Sequence, residues 1–179
     1  MRVITGTARG RKLREPVGKA IRPTSDMVKE AIFNIIQFDI EGRRVLDLFA
    51  GTGQMGIEAL SRGAASCTFI DESQEAIQLV RYNLEHCGFD AVVRQEDAMR
   101  FVARGEKFDL IFLDPPFNSA LCDKILQKIY EFDILSDGGI IVCEHSRDIV
   151  ILDAEAPYKK RKEYRYGKVI ITVIEKKGD

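Results

Sequence analysis

The amino-acid sequence predicts an α/β fold in which helices cover both faces of a mostly parallel β-sheet. From residue 44 onward, short apolar runs typical of strands alternate with amphipathic stretches typical of helices. Polar residues do not alternate regularly within these runs, which indicates strands that are buried on both faces. The length of 179 residues fits one domain with at most a short appended arm.

The predicted elements follow in chain order. Two short segments on either side of the turn at residues 6–10 predict a β-hairpin, and Thr24 or Ser25 is placed to cap a helix that Gly42 would end. Five strands alternating with helices come next, and two further strands at the end form a hairpin-like pair with an antiparallel edge. The seven strand segments are residues 43–49, 66–71, 91–97, 108–114, 138–145, 150–157 and 169–177, with a basic connection at residues 158–168.

Basic charge is concentrated at the start of the chain. Residues 1–29 carry eight basic side chains against two acidic ones, although the whole chain has a net charge of −1. We expect residues 1–25 to form a basic arm and residues 26–179 to form the main domain. Such an arm is suited to binding phosphate groups, and a solvated, partly disordered terminus is the alternative. The candidate phosphate-binding residues are Arg9, Arg11, Lys12, Arg14 and Arg22.

Composition argues against several classes of protein. No run approaches the roughly 18 apolar residues of a membrane span, and the basic start lacks the apolar segment of a secretory signal. We therefore expect a cytoplasmic protein without membrane contact, and a monomer. No C-x-x-C pair is present, so neither a metal site nor a disulfide is expected. The four cysteines, which we interpret as buried apolar residues, are Cys67, Cys87, Cys122 and Cys143.

A glycine-rich loop follows the first strand of the main domain. The segment D-L-F-A-G-T-G-Q-M-G, Asp47–Gly56, contains the spacing G-x-G-x-x-G, and Asp71 ends the next strand. Glycines at these positions permit a tight turn and a close approach of the backbone to a ligand, and Asp71 can accept hydrogen bonds from two ribose hydroxyls. Taken alone, this pattern is typical of dinucleotide binding.

Asp47 changes the predicted ligand. Its carboxylate, at the mouth of the first strand, would repel the pyrophosphate of a dinucleotide but attract a cation. S-adenosylmethionine has no phosphate and carries a sulfonium and an ammonium group, so Asp47 favours it; capping of the loop is the alternative role. Asp97, after the third strand, can accept from the adenine amine, cap a helix over Ala98–Arg104, or do both. The three carboxylates are expected to converge where ligands bind in open sheets.

A rigid acceptor loop follows the fourth strand. In Asp114-Pro115-Pro116-Phe117, two successive prolines fix the backbone and donate no hydrogen bonds. The Asp114 carboxylate and the Pro115 carbonyl can accept both hydrogens of a planar exocyclic base amine and direct its lone pair at a methyl group. Phe117 supplies a face on which the base can stack. The predicted chemistry is transfer of a methyl group to that amine, by orientation and charge placement.

These segments together resemble the amino-methyltransferases with a D-P-P-F motif. More narrowly, the chain resembles the bacterial 16S ribosomal RNA guanine-N2-methyltransferase family, and the resemblance covers nearly its whole length. The glycine loop and D-P-P-F belong to the wider superfamily, whereas R-P-T-S-D-x-V-K-E and the short basic start point to the narrower family. The segments that carry the resemblance are 1–6, 22–34, 47–53, 58–64 and 108–117.

The resemblance implies a Rossmann-like class I methyltransferase fold. It also implies methylation of one guanine of 16S ribosomal RNA within the assembling 30S subunit, with S-adenosylmethionine as cofactor. Residues 114–117 map to the catalytic loop. The residues expected at the cofactor are Thr24, Asp47, Phe49, Gly51, Gly53, Asp71 and Asp97.

Three alternatives remain at this point. A DNA adenine-N6 or cytosine-N4 methyltransferase would use the same chemistry, although we expect 179 residues to be too few for a separate sequence-reading domain. A non-catalytic RNA-binding assembly factor would not need Asp114. A nicotinamide-dependent oxidoreductase is suggested by the glycine spacing alone.

Overall fold

The computed structural model describes residues 1–16, 25–116 and 119–178. Its helices are α1 (Asp26–Ile35), α2 (Gln54–Ser61), α3 (Gln74–Cys87), α4 (Ala98–Val102) and α5 (Ser119–Glu131). Its strands are β1 (Arg44–Asp47), β2 (Ser66–Asp71), β3 (Val92–Gln95), β4 (Phe108–Leu113), β5 (Leu135–Ser146), β6 (Tyr158–Tyr166) and β7 (Val169–Lys176).

The strands form one seven-stranded sheet in the order β3-β2-β1-β4-β5-β7-β6. Strands β1 to β5 are parallel, and β7 runs antiparallel to both β5 and β6. The predicted Rossmann-like sheet with an antiparallel edge is therefore confirmed. Chain order reverses between β1 and β4, and in such sheets ligands bind beside the carboxyl ends of the strands at this point.

Apolar side chains fill both faces of the sheet. Val45 and Phe69 pack with helices α1 to α3 on one face, whereas Leu46 and Ile70 pack with α4 and α5 on the other. Successive residues of one strand are thus buried on opposite sides. This explains why the central strands lack a polar alternation in the sequence.

Two helix boundaries show how local sequence acts. Ser25 caps α1 by accepting the amide hydrogen of Val28 (3.3 Å), as predicted. The predicted end of this helix at Gly42 is wrong: α1 ends at Ile35, and Gly42 lies in a later turn with φ 72°. The apolar stripe continues into the turn through the buried Ile36 and therefore does not mark the end of the helix.

The C-terminal hairpin differs from the prediction in its first strand. Residues 147–157 form no strand, and the basic stretch predicted to be a connection is itself β6. Each residue of β6 from Lys162 to Tyr166 pairs with a residue of β7 from Val169 to Val173. Because β6 is the outermost strand, its lysines and arginines reach solvent and do not disfavour the sheet.

The described part of the N-terminal arm lies against the body of the protein. A single antiparallel bridge joins Arg2 to Lys12, so the predicted hairpin is present but has little regular strand structure. Three apolar side chains of the arm, Val3, Ala8 and Leu13, are buried in the same core as α1 and α2. The division of the chain at residue 25 stays a prediction.

A buried charged cluster holds the arm in place. The Glu58 carboxylate on α2 accepts the amide hydrogens of Ile4 (2.7 Å) and Thr5 (2.9 Å). It also pairs with Arg62 at 2.8 Å and with Lys29 on α1 at 3.7 Å. Burial lowers the pKa of Lys29, and the nearby Glu58 opposes that effect. The arm, α1 and α2 thus depend on one another.

All four cysteines are buried, as predicted. The thiols of Cys122 and Cys143 lie 3.2 Å apart between α5 and β5. In the described part of the chain, no helix is long and apolar enough to cross a membrane.

Candidate functional site

A cavity of about 780 Å³ opens at the carboxyl edge of the sheet, beside the ends of the neighbouring strands β1 and β4. It is lined by the loops after β1, β2, β3 and β4 and by one side of α1. The predicted site residues that the structure brings together here are Asp47, Phe49, Gly51, Asp71, Asp97, Asp114, Pro115 and Pro116.

The other predicted site residues lie elsewhere or cannot be placed. Gly53 is at the start of α2 rather than in the cavity wall, and an added Cβ would lie 3.3 Å from Val80 Cγ2. Thr24 and Phe117, predicted beside the cofactor and the base, lie outside the described residues, as does Arg22.

The glycine loop has the backbone shape that its sequence requires. Gly51 and Gly53 have positive φ angles of 54° and 77°, which side chains disfavour. Gly56, the third glycine, lies so close to β2 that an added Cβ would be 2.3 Å from the Phe69 ring. The glycines therefore serve the turn and the close packing of α2 on the sheet.

Asp47 is a buried carboxyl group at the end of β1. Only 4% of it is exposed, and its Oδ2 accepts the amide hydrogen of Gly56 at 3.0 Å. Burial raises the pKa of Asp47 to about 7, with a smaller contribution from Asp71, and the Gly56 hydrogen bond opposes the rise. A bound cation would favour the ionised form, so this residue fits a positively charged ligand.

Asp71 is held by two backbone hydrogen bonds. Its Oδ2 accepts from Gly51 and its Oδ1 accepts from Ser73, both at 2.9 Å. Each carboxylate oxygen has a second lone pair, so both can still accept a hydrogen bond from a ligand hydroxyl. The geometry fits the predicted contact with two ribose hydroxyls.

Asp97 combines the two roles considered for it. Its side chain caps α4 by accepting the amide hydrogen of Arg100 at 2.9 Å, and the residue also lines the cavity. The helix it caps is shorter than predicted and ends at Val102 instead of Arg104.

The acceptor loop borders the same cavity. Asp114, which is half-buried, follows β4 directly, and the buried Pro115 comes next. The carboxylates expected at the cofactor and the acceptors expected at the amine thus line one cavity. This arrangement is what the predicted chemistry requires.

Sequence reasoning missed several residues of the cavity wall. Glu72, Glu96 and Glu144 add further carboxylates, and Ile32 and Val142 add apolar surface. The sequence signal that could have found Glu144 is that it directly follows the apolar run of residues 140–143 in β5. No lysine or arginine is among the described residues that line the cavity. The carboxylates that line the cavity would repel a pyrophosphate and therefore disfavour the nicotinamide alternative.

Basic side chains lie outside the cavity on two surfaces. On the arm, Arg11 donates to the carbonyl of His86 (2.6 Å), and the Arg14 guanidinium lies 3.4 Å from the centre of the Tyr82 ring. The exposed Arg9 and Lys12 belong to the same surface. On the edge strand, the exposed basic residues are Lys159, Arg161, Lys162 and Arg165.

Comparisons with known proteins give matches over nearly the whole chain. The family model described as Conserved hypothetical protein 95 matches residues 1–175. The Bacillus subtilis protein named "Putative rRNA methyltransferase YlbH" is 40% identical, over 99% of this chain and 100% of its own length. The "Ribosomal RNA small subunit methyltransferase D" of Escherichia coli is 32% identical, over 99% and 91% respectively.

A solved structure matches the fold of the whole chain. The structure named "Putative methyltransferase yhhF from Escherichia coli" has a TM-score of 0.90 and 32% identity, covering 100% of this chain and 99% of that one. The predicted fold class is confirmed. The carboxylates described above fit the positive charge and the hydroxyls of S-adenosylmethionine, the predicted cofactor.

The state of Asp47 predicts a pH dependence of cofactor binding. Because its pKa is about 7 and the ionised form attracts the cation, affinity should rise about tenfold per pH unit below pH 7 and level off above it. Isothermal titration calorimetry between pH 5.5 and 8.5 would measure this. Asp47→Asn should bind weakly throughout and lose the dependence, whereas an unchanged slope in this variant would assign the titration to another group.

Proposed function

This chain belongs to the family described as Conserved hypothetical protein 95, and from this membership and the cavity we propose that it methylates the exocyclic N2 of a guanine in 16S ribosomal RNA during small-subunit assembly. The observation that carries the proposal is the shared cavity. Asp47, Asp71, Asp114 and Pro115 all line it, and in the proposal the first two contact the cofactor and the last two contact the amine.

The residues of the acceptor loop would act mainly by orientation. The cofactor, when bound, supplies a methyl group on a positively charged sulfur. The Asp114 carboxylate and the Pro115 carbonyl accept the two hydrogens of the amine, so the nitrogen lone pair is directed at that methyl group. As the nitrogen–carbon bond forms and the sulfur–carbon bond breaks, the nitrogen loses one proton, which Asp114 is placed to accept.

The substrate is supported by the names of the relatives. Two relatives carry names that refer to ribosomal RNA, and one of these names specifies the small subunit. These names favour ribosomal RNA over duplex DNA as the substrate of this chain.

Methyl transfer to defined substrates tests the proposal. The protein is incubated with radiolabelled S-adenosylmethionine and with assembling 30S particles, mature 30S particles or duplex DNA, the particles being taken from cells that lack the protein. Label should appear in 16S RNA as N2-methylguanosine, identified by mass spectrometry of the nucleosides. Label in DNA alone, or on another nucleoside, would refute the assignment.

We also propose that the arm contacts RNA phosphates through Arg9, Arg11, Lys12 and Arg14. The affinity for RNA falls as the salt concentration rises. If all four residues contact phosphates, replacing them with alanine should make the plot of log affinity against log salt concentration less steep by about 3. Filter binding to 16S RNA between 50 and 300 mM salt would measure it. Lys128→Ala on α5 is the control and should leave the slope unchanged. An equal slope in the arm variant and the wild type would show that these four residues do not contact RNA phosphates.

A further inference from the structure

Glu144 lies beside Asp114 on the neighbouring strand, where the pairing of β4 with β5 ends. Strands β4 and β5 pair in parallel, with Phe112 opposite Val142 and Leu113 opposite Cys143. One further step in this register places Asp114 next to Glu144. Both residues are half-buried, and both line the cavity.

The two carboxyl groups lie on the same face of the sheet. Side chains alternate along a strand, so Asp114 shares the face of Phe112, and Glu144 shares the face of Val142. Phe112 and Val142 belong to the core cluster on the α1 side and also line the cavity, together with Ile32 of α1. The two carboxylates therefore lie next to an apolar surface, formed by Ile32, Phe112 and Val142, against which a planar base could pack.

The thiol of Cys143, the residue before Glu144, interacts electrostatically with both carboxylates. The pKa of Cys143 is raised by its hydrogen bond with Cys122, by burial, and by negative charges that include Asp114 and Glu144. This agrees with the register in placing the two carboxylates together at the end of β5.

A guanine presents three hydrogens on one edge: two on N2 and one on the adjacent ring nitrogen N1. The proposed contacts of Asp114 and Pro115 use the two hydrogens on N2, which leaves the N1 hydrogen in need of an acceptor. We propose that Glu144 accepts this hydrogen and thereby selects guanine. The inference rests on the proposed function and names a specificity-determining residue for it.

The same contact explains how other bases would be rejected. In adenine and cytosine the ring nitrogen next to the exocyclic amine carries a lone pair instead of a hydrogen. A carboxylate facing that lone pair gains no hydrogen bond and is repelled. Sites that hydrogen-bond one substrate group commonly reject an analogue without it by large factors, on the order of 10⁴.

A base analogue tests Glu144 directly. 2-Aminopurine keeps the exocyclic N2 but has a lone pair at N1. Small-subunit particles are reconstituted with guanine or 2-aminopurine at the methylated position, and single-turnover rates are compared. Wild type should prefer guanine by at least about 100-fold. In Glu144→Gln the amide can accept from guanine or donate to 2-aminopurine, so this preference should fall at least tenfold.

The controls separate the possible failures. Glu85→Gln, at an exposed site on α3, should keep the wild-type preference, and calorimetry with S-adenosylmethionine checks that each variant is folded. A preference in Glu144→Gln within threefold of wild type would overturn the role of Glu144, as would a wild type that methylates both bases equally well. A wild type that methylates neither base would instead overturn the proposed function.

Discussion

Replacing Asp114 with alanine is expected to lower kcat for methyl transfer on the order of 10³-fold. The variant lacks the carboxylate proposed to hold one amine hydrogen and to accept the departing proton, and preorganised groups of this kind contribute about 10²–10³ each to the rate. Single-turnover methyl transfer to 30S particles, with S-adenosylmethionine at saturation, measures the chemical step.

The cofactor site provides the control for this variant. Asp114 is proposed to contact the amine and not the cofactor, so the Kd for S-adenosylmethionine should change less than about threefold. Asp114→Asn keeps an acceptor oxygen but loses the charge, and it should have an intermediate rate. Wild-type kcat in the alanine variant would remove Asp114 from the mechanism.

Glu58→Ala is expected to lower the free energy of unfolding by about 3–5 kcal/mol, the usual cost of removing one partner from a buried ion pair. The variant leaves Lys29 buried without its carboxylate and removes the acceptor for the amides of Ile4 and Thr5. Urea unfolding followed by circular dichroism would measure the change.

An exposed glutamate provides the comparison. Glu85→Ala on α3 should change the free energy of unfolding by less than about 0.5 kcal/mol. If Glu58→Ala also cost less than 1 kcal/mol, the buried cluster would not hold the arm to the body.

The central strands could be predicted because the signal for each lies within its own segment of the sequence. Strands β1, β2 and β4 are buried on both faces, and this condition leaves an unbroken apolar run that is visible in the sequence. The N-cap serine of α1 and the terminal Gly88 of α3 are local signals of the same kind. Each needs only a few neighbouring residues to be recognised.

Strand β6 could not be predicted because its neighbours determine its structure. Its sequence, Y-K-K-R-K-E-Y-R-Y, is mostly charged, and a bulge between Lys160 and Lys162 interrupts the alternation. Pairing with β7 supplies its backbone hydrogen bonds, and its position at the edge leaves the charged groups in water. Neither condition is visible in the segment itself.

The convergence of some site residues could be predicted from the strand pattern, whereas that of others depended on strand pairing. Asp47, Asp71, Asp97 and the acceptor loop each end a recognisable strand, and parallel topology brings strand ends together. Glu144 comes from a strand whose pairing with β4 had to be seen before its position beside Asp114 had meaning. The interaction of Glu58 with the arm, more than 50 positions away, left no sequence pattern.

The anchored arm changes what an RNA would encounter. A flexible basic tail loses conformational entropy when it settles on a phosphate backbone, and that loss weakens binding. Here the described part of the arm is already packed against the body, so the ionic contacts proposed for it would be made without most of that entropic loss. Because this packing depends on Glu58, a change that loosens the arm would also be expected to weaken the proposed binding of RNA.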